Sequence, residues 1–191
     1  MFNPNNLYLK PIYFEMNIQA VIPILHPRES FYKKIIPLLQ QQTVLSSLLL
    51  IDSVRQEISI SNSEIKKISQ SEFNHANTRN LALNYEADFY LFMTQDAMPY
   101  DETLVEKLCL TFEDPEIVVA YARQMPYKNA DVIEVFARST NYPAISKVKS
   151  KDDLSTIGIK TFFNSDSCAM YRASYFKQVC GFTKDLNTRE K

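Results

Sequence analysis

Glycine is nearly missing from this chain of 191 residues: there are two, Gly158 and Gly181, 23 positions apart. Neither a G-x-G-x-x-G fingerprint nor a P-loop can be written with them, so any phosphate bound here is not cradled by a glycine loop. Histidine is as scarce, and His26 and His75 stand too far apart for an H-E-x-x-H pair. Cysteine is limited to Cys109, Cys168 and Cys180, which form no C-x-x-C. Together these absences exclude an ordinary structural zinc site. An odd, scattered set of cysteines suits a reducing compartment. No apolar run reaches the length of a membrane span, and Met1 to Met16 has neither a basic flank nor an unbroken apolar stretch, so the expected location is cytoplasmic. Excess charge is missing too: 21 Lys plus Arg against 22 Asp plus Glu leaves a net of −1. That balance offers no broad attraction to nucleic-acid phosphates, and no nucleic-acid partner is expected.

What remains is an ordinary globular composition, 46% hydrophobic with 23% charged residues, in a length that suits one domain. The first fifteen residues are Asn- and Pro-rich and aperiodic, so 1–15 is read as a flexible extension and 16–191 as the domain. Asn17–Leu25 reads as a strand, and Arg28–Gln42 as a helical stripe with a kink at Pro37. Leu48–Ile51 is a short, wholly apolar run, as expected of a strand buried on both faces. A weaker strand at Ile65–Ile68, a helix over Ala76–Tyr85 and a fully apolar strand at Phe89–Met93 follow. Next come a helix over Glu102–Phe112 with Asp101 as its cap and a strand over Ile117–Ala122. Alternation of this kind specifies an α/β fold with a mostly parallel sheet and helices on its faces. Arg123–Ile159 is polar and mixed, with one helical patch at Ala130–Ser139, and reads as a lid or substrate-facing excursion. Order returns with a strand-like Thr161–Tyr171 and a short helix from Ala173.

In open α/β sheets ligands bind beyond the carboxyl ends of the strands. Two of the most apolar strands are followed there by an acid, Asp52 after Leu48–Ile51 and Asp96 after Phe89–Met93. A carboxylate so placed can hold a hard divalent cation, which neutralises a diphosphate without a glycine loop. On periodicity alone the same two acids serve equally well as turn or cap residues.

The order of residues around them carries a resemblance. Phe73-Asn74-His75-Ala76-Asn77-Thr78-Arg79-Asn80 and Thr94-Gln95-Asp96-Ala97-Met98-Pro99-Tyr100-Asp101 resemble the family 2 inverting glycosyltransferases, in the rhamnosyltransferase-like branch of bacterial surface polysaccharide synthesis. The likeness continues through Tyr121–Pro126, Asn141–Pro143, Gly158–Phe163, Ser165–Arg172 and Cys180–Phe182, in order, over nearly all of Asn17–Phe182. It implies a GT-A fold, a nucleoside-diphosphate sugar donor such as dTDP-L-rhamnose, Mg²⁺ or Mn²⁺, and a glycan or lipid-linked glycan acceptor that would bring the protein to the membrane surface. Carried over by residue, Asp52 contacts the donor base, Arg79 lies near base and diphosphate, and Asp96 is the metal-binding acid. Gln95 stands where an acid is more usual, which lowers the charge offered to the metal. Arg123 and Gln124 either shape the donor or acceptor pocket or are surface residues, and Asp166 either orients acceptor or diphosphate or closes a turn.

Relatives in that branch continue past Gly-Phe to an acid and then a Glu-Asp pair whose aspartate is the general base. Here Asp185 and Glu190 fall on the first two of these, and Lys191 takes the place of the base. A lysine protonated at neutral pH accepts no proton. The resemblance therefore implies a glycosyltransferase domain incomplete at its C-terminus, with no catalytic residue assigned. The rival readings are a non-catalytic nucleotide-sugar-binding remnant or subunit, and an unrelated α/β nucleotide-binding domain.

Overall fold

The computed structural model describes residues 16–44, 46–54 and 57–183. The proposed extension 1–15, and Asp185, Glu190 and Lys191, lie outside the described residues. Six strands form one sheet in the order β3-β2-β1-β4-β6-β5. They are β1 (Ile18–Ile24), β2 (Ser47–Asp52), β3 (Ser63–Lys67), β4 (Phe89–Met93), β5 (Val119–Tyr121) and β6 (Cys168–Arg172). β1 pairs in parallel with β2 and β4, and β2 with β3. β6 runs antiparallel between β4 and β5. The α/β class expected from the alternation is the class observed, with the sheet parallel in one half and antiparallel in the other.

Side chains on the two faces of the sheet enter separate cores, as the period of a strand requires. On one face Ile18, Ala20, Ile22, Leu48, Leu50 and Leu91 meet Phe31, Ile35 and Leu39, which lead into and lie in α1 (Ile36–Gln40), and Val105, Leu108 and Cys109 of α3 (Leu104–Thr111). On the other, Val21, Leu49, Ile51, Tyr90 and Phe92 meet Ala82, which follows α2 (His75–Asn80), and Ala173 and Phe176 of α6 (Ala173–Gln178). Helices thus cover both faces. Burial raises the Cys168 thiol to about 12, which leaves it an inert core residue.

Several boundaries differ from the sequence reading for identifiable reasons. The stripe expected over Arg28–Gln42 opens as a π-turn, Phe31–Ile35, before α1. Pro37 has no N–H and crowds the carbonyl four residues before it, and the wider turn accommodates this by passing the Ile36 N–H to Phe31 O. The helix expected over Ala76–Tyr85 tightens after Asn80 into a 3₁₀ turn, Leu81–Asn84. Asp101 caps a turn ahead of α3 rather than the helix itself, its Oδ1 accepting from Thr103 N at 2.9 Å. The Val105 N–H of the first turn of α3 goes instead to Oε1 of buried Gln42, at 3.0 Å. Finally, strand structure after the excursion begins only at Cys168. Gly158–Phe162 is a 3₁₀ turn, and the Asn164 and Asp166 side chains bond Tyr171 Oη, holding the stretch between out of the ladder.

The excursion carries α4 (Val132–Asn141) and α5 (Leu154–Ile157). Asp131 caps α4 through Glu134 N at 2.8 Å. Lys149 binds the excursion together: its Nζ donates to Phe163 O at 2.6 Å and Lys160 O at 3.2 Å, and lies 5.2 Å from the Tyr121 ring centroid.

Candidate functional site

Three strand ends are laced together at the carboxyl edge of the parallel half. Ser53, just past β2, donates from its backbone N–H and its hydroxyl to Ile24 O, at 3.2 and 3.0 Å. Gln95, past β4, both accepts from Leu25 N at 2.7 Å and donates to Leu25 O at 3.0 Å. These two hydrogen bonds tie both ends of the Gln95 amide to the backbone that leaves β1, so its local role is to hold two loops in register. His26 follows in a left-handed turn at φ 44° and is exposed, in keeping with a loop residue.

Asp52 ends β2 almost fully buried. Its Oδ1 accepts from Val54 N at 2.9 Å, while Oδ2 has no partner among the described residues. A buried carboxylate oxygen without a donor is costly and points to a ligand N–H or O–H. Burial, and then the Asp52 charge, raise the pKa of Tyr32 nearby.

Arg79 is placed by a chain of local bonds. Asn74 caps α2, its Oδ1 accepting from Ala76 N and Asn77 N at 3.0 Å each, and Thr78 Oγ1 accepts from Asn74 N at 3.3 Å. The guanidinium then lies buried, donating from Nη1 to His75 O at 3.2 Å, with Nε lacking a partner among the described residues. Burial lowers its pKa, and the charges of Asp166 and Tyr171 oppose that shift. Asp166 itself accepts from Tyr171 Oη at 2.6 Å, and burial followed by the Asp166 charge pushes the Tyr171 phenol well above its ordinary value. Arg79 and Asp166, 87 positions apart in sequence, therefore share one electrostatic neighbourhood.

Asp96 belongs to a second group. It lines a cavity of about 610 Å³ together with Gln95, Met98, Tyr127, Arg28 and Lys34. Tyr127 Oη donates to Asp96 O at 3.2 Å. No group of three or more His, Cys, Asp or Glu side chains suited to a metal occurs among the described residues. An exposed carboxylate such as Asp96 is nonetheless a fitting partial donor set for Mg²⁺ or Mn²⁺, because such ions take their remaining oxygens from substrate phosphates and water. Arg123 and Gln124 make their bonds to the excursion, Arg123 Nε to Tyr142 O at 3.1 Å and Gln124 Nε2 to Ser165 Oγ at 2.7 Å.

Three residues that draw no attention as site candidates in the sequence stand out in the structure. Arg28 and Lys34 look like solvated charges until the cavity joins them to Asp96. Asn80 was quoted only as the end of a motif. Its amide accepts from Phe182 N at 2.8 Å and donates to Phe182 O at 2.9 Å, which fastens α2 to the Gly181-Phe182 turn and seats Phe182 on Phe92, Tyr171 and Phe176.

A six-stranded mixed sheet with helices on both faces is the α/β architecture shared by GT-A and nucleotidyltransferase folds. In agreement, a mannosyltransferase from Pyrobaculum calidifontis, solved with GDP-Man and Mn²⁺, superposes with a TM-score of 0.58 at 11% identity, over 89% of this chain and 48% of that one. In sequence the chain is similar to two O-antigen chain rhamnosyltransferases. It is 38% identical over 176 residues, 87% of its length, to the O-antigen chain rhamnosyltransferase RfbN of Salmonella typhimurium, and covers 56% of that protein. It is 39% identical over 151 residues to the O-antigen chain rhamnosyltransferase WbaN of Salmonella anatum, covering 75% of this chain and 48% of that protein. The chain thus spans about half the length of the curated relatives it matches. No family model matches the sequence. Among the described residues no helix is long and apolar enough to cross a membrane.

Proposed function

We propose that this chain provides the donor-binding half of an inverting rhamnosyltransferase, one that moves L-rhamnose from dTDP-L-rhamnose to a glycan or lipid-linked glycan acceptor in O-antigen synthesis. The observation that carries the reading is the Asp52 carboxylate, buried at the end of β2 with Oδ2 lacking a donor among the described residues. A pyrimidine imide N–H meets that need, and thymine has one. Arg79, with Nε free of any partner among the described residues, is a second unsatisfied group on the same edge and donates toward the nucleotide's sugar or phosphates. The charge of Asp166 favours the protonated guanidinium.

Asp96 would hold the divalent cation, which when bound offsets charge on the departing diphosphate. Transfer itself is a single displacement: an acceptor hydroxyl loses its proton to a carboxylate and attacks the anomeric carbon as the diphosphate leaves. The excursion with Arg123 and Gln124 flanks the acceptor side and keeps water from the anomeric carbon. A lipid on the acceptor would bring this sheet edge to the membrane surface.

Thermal denaturation with dTDP, UDP or GDP, each with and without Mg²⁺ or Mn²⁺, tests the reading, because a ligand of the folded state raises the melting temperature by mass action. A rise that is largest with dTDP is expected. A cooperative melt indifferent to all three nucleotides overturns it.

A further inference from the structure

We propose that Arg28 and Lys34 form the diphosphate-binding edge of the cavity beside Asp96, so that two side-chain cations carry most of the ligand's charge and the divalent ion adds a smaller part. The inference rests on the donor-binding reading and deepens it.

The argument begins with the charges in the cavity. Arg28, on the connection leaving β1, and Lys34, in the π-turn before α1, both line it, as does Asp96. Both cations are exposed, and neither has an ion-pair partner among the described residues, whereas the adjacent Lys33 is paired with Glu29. Two cations without an ion-pair partner among the described residues, lining one concave surface with a single acid, leave a standing positive charge there, and concave walls concentrate such a field. Chemistry favours phosphate as the occupant: the planar guanidinium can engage two oxygens at once, and the ammonium acts as an adjustable point charge.

The metal side of the same cavity is comparatively poor. Gln95 stands beside Asp96, but its amide oxygen and nitrogen are both taken by Leu25. That leaves the Asp96 carboxylate with no second acid among the described residues of the cavity lining. A lone exposed carboxylate binds Mg²⁺ weakly, and only a diphosphate already in place completes the donor set. In this arrangement the cations bind first and the metal follows.

Calorimetric titration of the full chain separates the possibilities. The probes are dTDP, thymidine and inorganic diphosphate, each in EDTA and in Mg²⁺, against the wild type, Arg28→Ala/Lys34→Ala, Arg28→Gln/Lys34→Gln and the control Lys33→Ala. The expected result in EDTA is that dTDP and inorganic diphosphate bind the wild type and Lys33→Ala alike, and bind both double variants at least tenfold more weakly. Thymidine should bind all four proteins equally. Equal dTDP affinity in the wild type and both double variants overturns the inference and leaves donor binding standing. So does dTDP binding that vanishes in EDTA and returns with Mg²⁺. Inorganic diphosphate that binds through the two cations without displacing dTDP also overturns it, and assigns them to a phosphorylated acceptor. Failure of the wild type to bind any nucleotide removes the donor reading and the inference together. Melting curves of the double variants check that these exposed substitutions leave the fold intact.

Discussion

At the scale of single residues, the site holds two buried groups whose polar atoms are only half satisfied. Asp52 and Arg79 each keep one atom without a partner among the described residues, and such atoms cost stability until a ligand arrives. Asp52→Asn therefore has a signed, double expectation. The amide oxygen can still accept from Val54 N, the buried charge is removed, and the melting temperature of the free protein rises. Affinity for dTDP falls by about 1.5–3 kcal/mol, the range for a hydrogen bond to a charged group, measurable by titration. A fall in both quantities would make Asp52 a structural acid. Gly181 is constrained in the opposite sense. Its φ is +78°, and a Cβ there would lie 2.3 Å from Asn80 Oδ1, so Gly181→Ala must displace the amide that holds Phe182. We expect a loss of about 1–3 kcal/mol in urea denaturation. The strand-end positions of Asp52 and Asp96 were legible in the sequence because each acid follows an apolar strand, and the motif around Arg79 is contiguous. Asn80 was not legible in this way, since its partner Phe182 is 102 residues away.

At the scale of elements, β2, β4 and β5 could be read closely because they are built on continuous apolar runs, while the start of α3 could not, because its cap comes from elsewhere in the chain. Gln42 is that cap. Its Oε1 takes the Val105 N–H of α3, and its Nε2 donates to Leu38 O at 3.1 Å and Asp101 O at 2.9 Å. One buried side chain therefore joins the end of α1 to the start of α3. Gln42→Ala strands these groups and should cost about 1–3 kcal/mol, read as a shift of the urea midpoint with unchanged slope. Asp101 contributes a pH dependence at the same junction. Bonds from the Thr103 hydroxyl and backbone, then Lys107, lower its carboxyl to about 2. An acid whose folded pKa is depressed adds stability that is fully present above the unfolded value, near pH ~4, and is lost as pH falls toward ~2. Asp101→Asn should accordingly flatten the dependence of melting temperature on pH between ~4 and ~2 and leave its shape near neutrality unchanged.

At the scale of the whole molecule, the alternation of strands and helices specified α/β layers with helices on both faces, and those layers are present. What alternation could not reveal was the insertion of β6 between β4 and β5, antiparallel to both, because strand direction depends on the path of a long connection rather than on residue period. That connection is the excursion between β5 and β6. It is attached to the sheet at few points, Tyr142 and Thr161 being buried, while Val132, Ile133 and Phe136 of α4 are 84%, 79% and 69% exposed. Stability should therefore divide between sheet and excursion. Ile133→Ser/Phe136→Ser removes little buried area and should leave the urea midpoint within about 0.5 kcal/mol of wild type. Lys149→Met acts differently, since it deletes the donor that gathers Phe163 O, Lys160 O and Tyr121 Oη. The excursion should then open more often as a local unit, and trypsin should cut at Lys147, Lys151 and Lys160 several times faster while the sheet's denaturation midpoint moves little. A midpoint shift in Lys149→Met as large as that in Gln42→Ala would mean that excursion and sheet unfold as one, and the division argued from burial would be wrong.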